Sequence, residues 1–168
     1  MDPIKLAGIK DWPTPETVKQ TCSFLGFGNF YRQFISGFAH LTRPLHDLMK
    51  KNKIWDWTPK CQVAFELLKE HFLSAPVLMI PDTTKLFILE TDTSKWAIGA
   101  TIMQKDNSGQ LHPCGYLSHA LMPTECNWQI YNRELYAIIY ALEEWRYLLL
   151  SADQTITVHC NHKKFNLL

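Results

Sequence analysis

The sequence predicts an α+β chain, helical over its first half and built on a small sheet over its second. Apolar residues recur at helical spacing up to Pro76, and the pattern shortens to strand-length apolar runs after Pro81-Asp82. A long amphipathic stretch from Glu125 to Leu150 then separates the last two strand-like runs. At 168 residues the chain holds one ordinary domain, or a compact domain with a smaller helical attachment. The expected division is 1–76 and 77–168.

The first helix is expected from Thr14, where Pro15 and Glu16 supply a first-turn proline and an acid at the positive helix end. Val18, Cys22, Phe24 and Leu25 give it an apolar side. Gly26 and Gly28 predict a break or bend before Phe30, Tyr31, Phe34 and Ile35 resume, and Gly37 predicts a stop. A second helix fits Leu41 to Lys50. A third opens at Thr58-Pro59, carries Ala64, Phe65, Leu67, Leu68, Phe72 and Leu73, and ends before Pro76.

Leu86 to Leu89 form a short apolar run that leads into Glu90-Thr91-Asp92 and predicts the first strand. Ala97 to Gln104 and Leu111 to Ser118 predict two more, joined through Asn107-Ser108-Gly109 as an antiparallel meander. The helix expected over 125–150 places Trp128, Tyr131, Leu135, Ile138, Ile139, Leu142, Trp145 and Leu149 on its apolar face. Thr155 to Cys160 alternate as a last strand.

Composition bounds the function. Hydrophobic residues at 46% and charged residues at 20% are globular values, and no run approaches the ~20 apolar residues of a membrane span, so no membrane partner is expected. No apolar run follows Met1-Asp2-Pro3-Ile4-Lys5, which gives the expectation of an intracellular address. Five cysteines without a CxxC spacing argue against a disulfide framework or a zinc ribbon. A net charge of +1 means that any nucleic-acid contact must come from a local patch.

Asp92, at the end of the first strand among Thr91, Thr93 and Ser94, reads either as a turn-forming aspartate or as a metal ligand. Glu134 lies at the edge of the helical apolar stripe and reads either as a solvated helical acid or as one projecting to the sheet. A strand acid followed by a helix acid is how a metal-dependent nuclease gathers oxygen ligands for hard divalent cations. Two cations ~4 Å apart would clamp the attacking and leaving oxygens of a phosphodiester. A zinc site at His159, Cys160 and His162 fails because alternate strand residues face opposite ways and no fourth ligand is evident. Arg32, Arg43, Lys50, Lys51 and Lys53 form the basic candidates for nucleic-acid contact, with Tyr31, Trp55 and Trp57 for stacking; a solvated face and core aromatics are the competing readings.

The phrase Glu90-Thr91-Asp92-Thr93-Ser94-Lys95-Trp96-Ala97-Ile98-Gly99-Ala100 resembles the "TDAS…G.GA" opening of the ribonuclease H domain of gypsy-type long-terminal-repeat retrotransposons, with Gln104 at the family's glutamine. Arg133-Glu134-Leu135-Tyr136-Ala137-Ile138, Tyr116-Leu117-Ser118 and Val158-His159-Cys160-Asn161-His162-Lys163 resemble its helix motif, its third strand and its "V.TDHK" segment. Residues 10–76, with Phe24-Leu25-Gly26, Asn29-Phe30-Tyr31-Arg32, Trp55 and Trp57, are similar to the thumb and connecting segment of the same polymerases.

The resemblance implies an RNase H-like mixed sheet, truncated at its C-terminus, whose fourth strand runs parallel to the first. It implies ancestral cleavage of RNA in RNA–DNA hybrids with two Mg²⁺ (or Mn²⁺), and places Asp92 and Glu134 at two of four metal carboxylates. Asn161 stands where the third, an aspartate, is expected, and removes one negative charge from a site that must offset roughly +4. The fourth would lie beyond Leu168. The implied molecule is catalytically impaired, or a noncatalytic remnant that binds nucleic acid or protein, and its exposed apolar surface predicts self-association. No "YxDD" polymerase motif occurs in the sequence.

Overall fold

The computed structural model describes residues 8–74 and 78–160. The chain divides into two compact units, Met1–Pro76 and Val77–Leu168.

The first unit contains α1 (Val18–Tyr31), a 3-10 turn (Arg32–Phe34), α2 (Phe38–Leu48) and α3 (Pro59–Ser74). α1 starts at Thr17 rather than at Thr14. Thr17 Oγ1 accepts the Gln20 N–H at 3.2 Å, and the Gln20 side chain accepts the Glu16 N–H at 2.6 Å, so the reciprocal cap forms three residues later than the proline suggested. α1 runs without a break through Gly26 and Gly28. Gly28 serves close packing instead: a Cβ there would lie 3.1 Å from the Phe72 ring and 3.2 Å from the Phe38 ring. Gly37, expected to stop α1, precedes α2 as its N-cap with φ +66°, a left-handed conformation that glycine adopts at low cost.

α3 follows its Thr58-Pro59 opening as expected, with Thr58 O accepting the N–H groups of Cys61 and Gln62. Its buried stripe is Cys61, Ala64, Phe65, Leu68 and Phe72, while Leu67 and Leu73, expected on that stripe, point outward. Phe24, Phe65 and Phe72 interlock with Ile35, Leu45 and Leu48 in the core of the unit. Tyr31 is buried in the same core against Phe27 and Phe72, which removes it as a base-stacking platform.

The second unit is a four-stranded mixed sheet of order β3-β2-β1-β4, with β1 (Ile88–Thr93), β2 (Ala97–Lys105), β3 (Leu111–Ala120) and β4 (Thr157–Cys160). β1, β2 and β3 form the expected antiparallel meander, and β4 runs parallel to β1 with Leu89 opposite Val158 and Thr91 opposite Cys160. β1 begins later than the apolar run 86–89 and carries the acids inside its ladder. The meander turn is closed by Asp106, whose carboxylate accepts the N–H groups of Ser108 and Gln110 and bonds the His112 ring. Gln104, fully buried, accepts the Asp82 N–H and donates to Asp82 O and Lys85 O, which pins the segment entering β1.

The expected single helix over 125–150 is three pieces: a 3-10 turn (Glu125–Asn127), α4 (Ile130–Glu144) and α5 (Arg146–Leu150), interrupted at Trp145 with φ −100° and ψ 18°. Its buried side also differs from the expected one. Glu134, Ala137 and Ala141 face the sheet, whereas Tyr131, Leu135 and Ile139 are among its most exposed apolar residues. Small side chains let α4 approach the strands closely: Ala141 packs on Leu89, Ala100 and Leu117, and Ala137 on Ile98 and Leu121.

Candidate metal centre

Leu89 packs beneath α4, and strand alternation turns Thr91 to the same side; both are buried, whereas Glu90 and Asp92 are exposed. Asp92 is the penultimate residue of β1, exposed, in register with Gly99 on β2 and through it with Ser118 on β3. Glu134 comes from the second turn of α4 and is only 4% exposed. Arg133, its neighbour, donates from Nη1 to Ser94 O at 2.9 Å and so ties α4 to the turn that follows β1.

Burial raises the Glu134 carboxyl above its ordinary proton affinity, the negative charge of Asp92 raises it further, and Arg133 acts in the opposite sense. The two acids that sequence pairs are therefore within electrostatic reach of one another. Glu134 Oε2 is buried with no hydrogen-bond partner among the described residues, a placement that costs free energy unless something positive or proton-donating meets it. Arg133 Nε and Thr91 Oγ1 share that condition. Neither stands out in the sequence; the signal for Arg133 is its place beside Glu134 in the helix motif, and for Thr91 only the strand alternation.

The donor set fits a hard divalent cation in kind, since both acids offer oxygen. It is small in number: among the described residues no three His, Cys, Asp or Glu side chains gather as a metal group. Asn161 lies outside the described residues, one position past the Thr91–Cys160 pair that ends the described β1–β4 ladder.

The basic candidates all lie in the helical unit. Arg32 is exposed, Arg43 half-buried, and Lys50, Lys51 and Lys53 are exposed around a tight turn in which Asn52 takes φ +66°. Lys50 pairs with Asp47 at 2.7 Å. Trp55 and Trp57 are half-buried and stacked on each other at 5.8 Å. Trp57 also donates to Gln62 Oε1 at 2.7 Å and meets the Phe65 ring edge-on. Their faces are largely committed to the core.

An antiparallel meander, a crossing helix with a buried acid and a fourth strand parallel to the first define an RNase H-like domain. Residues 57–158 match the family model described as the RNase H-like domain found in reverse transcriptase, and the chain belongs to that family. The match begins within the helical unit and takes in α3.

The Tf2-3 and Tf2-4 transposon polyproteins of Schizosaccharomyces pombe (strain 972 / ATCC 24843) are each 36% identical to it over 155 residues. These alignments cover 92% of this chain and 12% of each polyprotein, so the chain spans a small part of the relatives it matches. Two solved structures of the foamy viral protease-reverse transcriptase share the fold. The complex with dsDNA has a TM-score of 0.79 at 22% identity, over 97% of this chain and 34% of that one. The complex with RNA/DNA hybrid has a TM-score of 0.77 at 23% identity, over 95% and 21%. The chain thus carries the RNase H-like domain found in reverse transcriptase, and it is similar in sequence to the transposon polyproteins.

Proposed function

We propose that this chain derives from an enzyme that cleaves the RNA strand of RNA–DNA hybrids, that Asp92 and Glu134 are its surviving metal-binding carboxylates, and that its own turnover is at background level. Residues 1–76 take the part of a thumb and connecting segment. The observation that carries the reading is the buried Glu134 carboxylate, with an unpaired oxygen, in the field of Asp92. A divalent cation between the two carboxylates would make that burial favourable.

Asp92 and Glu134 would hold Mg²⁺ or Mn²⁺ between the end of β1 and α4. When bound, the cation supplies positive charge that stabilises a developing phosphate oxyanion. Arg133 holds α4 to Ser94 O, which fixes the height of Glu134 along β1. Impairment rests on charge: Asn161 is neutral where an aspartate is expected, which removes one negative charge from a site that must offset the roughly +4 of a cation pair.

Incubation of the purified chain with an end-labelled RNA–DNA hybrid and Mg²⁺ tests this. The expected result is cleavage no faster than that of Asp92→Asn. Mg²⁺-dependent cleavage that Asp92→Asn abolishes would overturn the impairment.

Binding without cleavage is favoured by the neighbours solved on dsDNA and on RNA/DNA hybrid and by the exposed lysine turn at 50–53. Replacing Lys50, Lys51 and Lys53 by Gln is expected to reduce the salt slope of hybrid affinity by up to about 0.9 per lysine. A slope identical to that of the unsubstituted chain excludes the turn as the phosphate contact.

A further inference from the structure

Among the described residues, three buried side-chain polar atoms lack a hydrogen-bond partner: Thr91 Oγ1, Arg133 Nε and Glu134 Oε2. All three belong to two elements packed on each other, Thr91 on the side of β1 that faces α4 and the other two near the start of α4. Buried polar groups are nearly always partnered, and an ordered interior water typically satisfies about three of them. The chemistry of the trio is complementary. Arg133 Nε can only donate, an ionised Glu134 oxygen can only accept, and the Thr91 hydroxyl does either.

We propose that one ordered water links the Thr91 hydroxyl to Glu134 Oε2, with Arg133 Nε–H donating to the same water, and that Thr91 is a positioning residue for the Glu134 carboxylate. The water donates one hydrogen to Glu134 and accepts from Arg133, and Thr91 completes its shell. Two ends of the carboxylate's environment are then fixed, since Arg133 is held in turn by Ser94 O. Threonine at 91 is accordingly present for its hydroxyl and not only as a β-branched residue suited to a strand. That the linked carboxylate is a metal ligand rests on the reading above; the link itself does not.

Urea unfolding of the whole chain at pH 8, without divalent ions, separates the two. Two pairs of near-isosteric residues at position 91 differ by the hydroxyl: threonine against Thr91→Val, and Thr91→Ser against Thr91→Ala. The hydroxyl-bearing member is expected to have the larger folding equilibrium constant in both pairs, by up to about tenfold, the scale of one net buried hydrogen bond. In the Glu134→Met background both differences are expected to vanish; should that variant not fold, Glu134→Ala takes its place. Thr91→Val at or above the stability of the unsubstituted chain overturns the link, because an unsatisfied hydroxyl is better replaced by a methyl. A hydroxyl preference that survives the loss of Glu134 overturns it equally. Failure of the chain to bind Mn²⁺ in a separate titration bears only on the metal reading.

Discussion

Glu134→Gln is expected to stabilise the chain by about 1–2 kcal/mol at pH 8, and to abolish divalent-cation binding, because it removes a buried negative charge while keeping the shape of the side chain. The pH dependence gives the effect its signature. An unfolded glutamate ionises near pH ~4.3. In the folded chain burial and Asp92 hold the Glu134 proton to higher pH. Between those two points the folded state keeps a proton that the unfolded state has released, so stability falls as pH rises through that window and levels off above it. The variant lacks this fall, and the two stability curves should converge near pH 4 and separate upward.

Saturating Mg²⁺ should narrow the gap at pH 8, since a ligand that binds only the folded carboxylate form stabilises the unsubstituted chain alone. Urea titrations from pH 4 to 8, with and without Mg²⁺, supply all four curves. A variant less stable than its parent at pH 8 would show that the carboxylate is compensated within the protein and needs no cation.

Much of the fold is legible in the sequence because local chemistry and tertiary demand coincide. Thr58-Pro59 opens α3 since proline's fixed φ suits the first turn whatever packs around it. The meander is legible because an Asp-Asn-Ser-Gly turn separates two runs of strand length. α4 is not. Leu142 and Trp145 pack on the sheet core as the periodicity predicts, but Leu135 and Ile139 are apolar yet solvent-facing and Glu134 is charged yet buried, so a pattern that equates polarity with exposure misplaces the N-terminal part of the buried face.

The break at Trp145 leaves no proline or glycine as a marker. The start of α1 is obscured for the opposite reason. Pro15 marks Thr14 as the cap, but Gln20 donates its N–H to Thr17 and so sets the start three residues later. At the candidate site, family resemblance singles out Asp92 and Glu134, and the structure brings them within mutual electrostatic reach. Thr91 cannot be read off, because which face of β1 meets the helix is set by packing over the whole sheet.

Phe24→Ala carries the largest expected loss of stability, about 3–5 kcal/mol. Phe24 is fully buried at the point where α1 meets α3, with its ring centroid 4.7 Å from that of Phe65, 5.6 Å from that of Trp12 and 6.1 Å from that of Phe72. Truncation removes the transfer free energy of the ring and leaves a cavity. Its neighbours can close that cavity only in part, because the Phe72 ring is already held close to Gly28 on α1. The aromatic pairs that the truncation breaks, worth about 0.5–1.5 kcal/mol each, are part of that loss.

The unit Met1–Pro76 is small enough that its whole stability is on the order of 4–11 kcal/mol at about 0.05–0.15 kcal/mol per residue, so one such cavity takes a large share of it. Val63→Ala is the contrasting substitution, since Val63 on the same α3 is 58% exposed and should change stability by no more than about 0.5 kcal/mol. Urea unfolding followed by far-ultraviolet circular dichroism compares the two. A Phe24→Ala loss no larger than that of Val63→Ala would mean that the aromatic cluster does not organise this unit, and that its helices are held together by other packing.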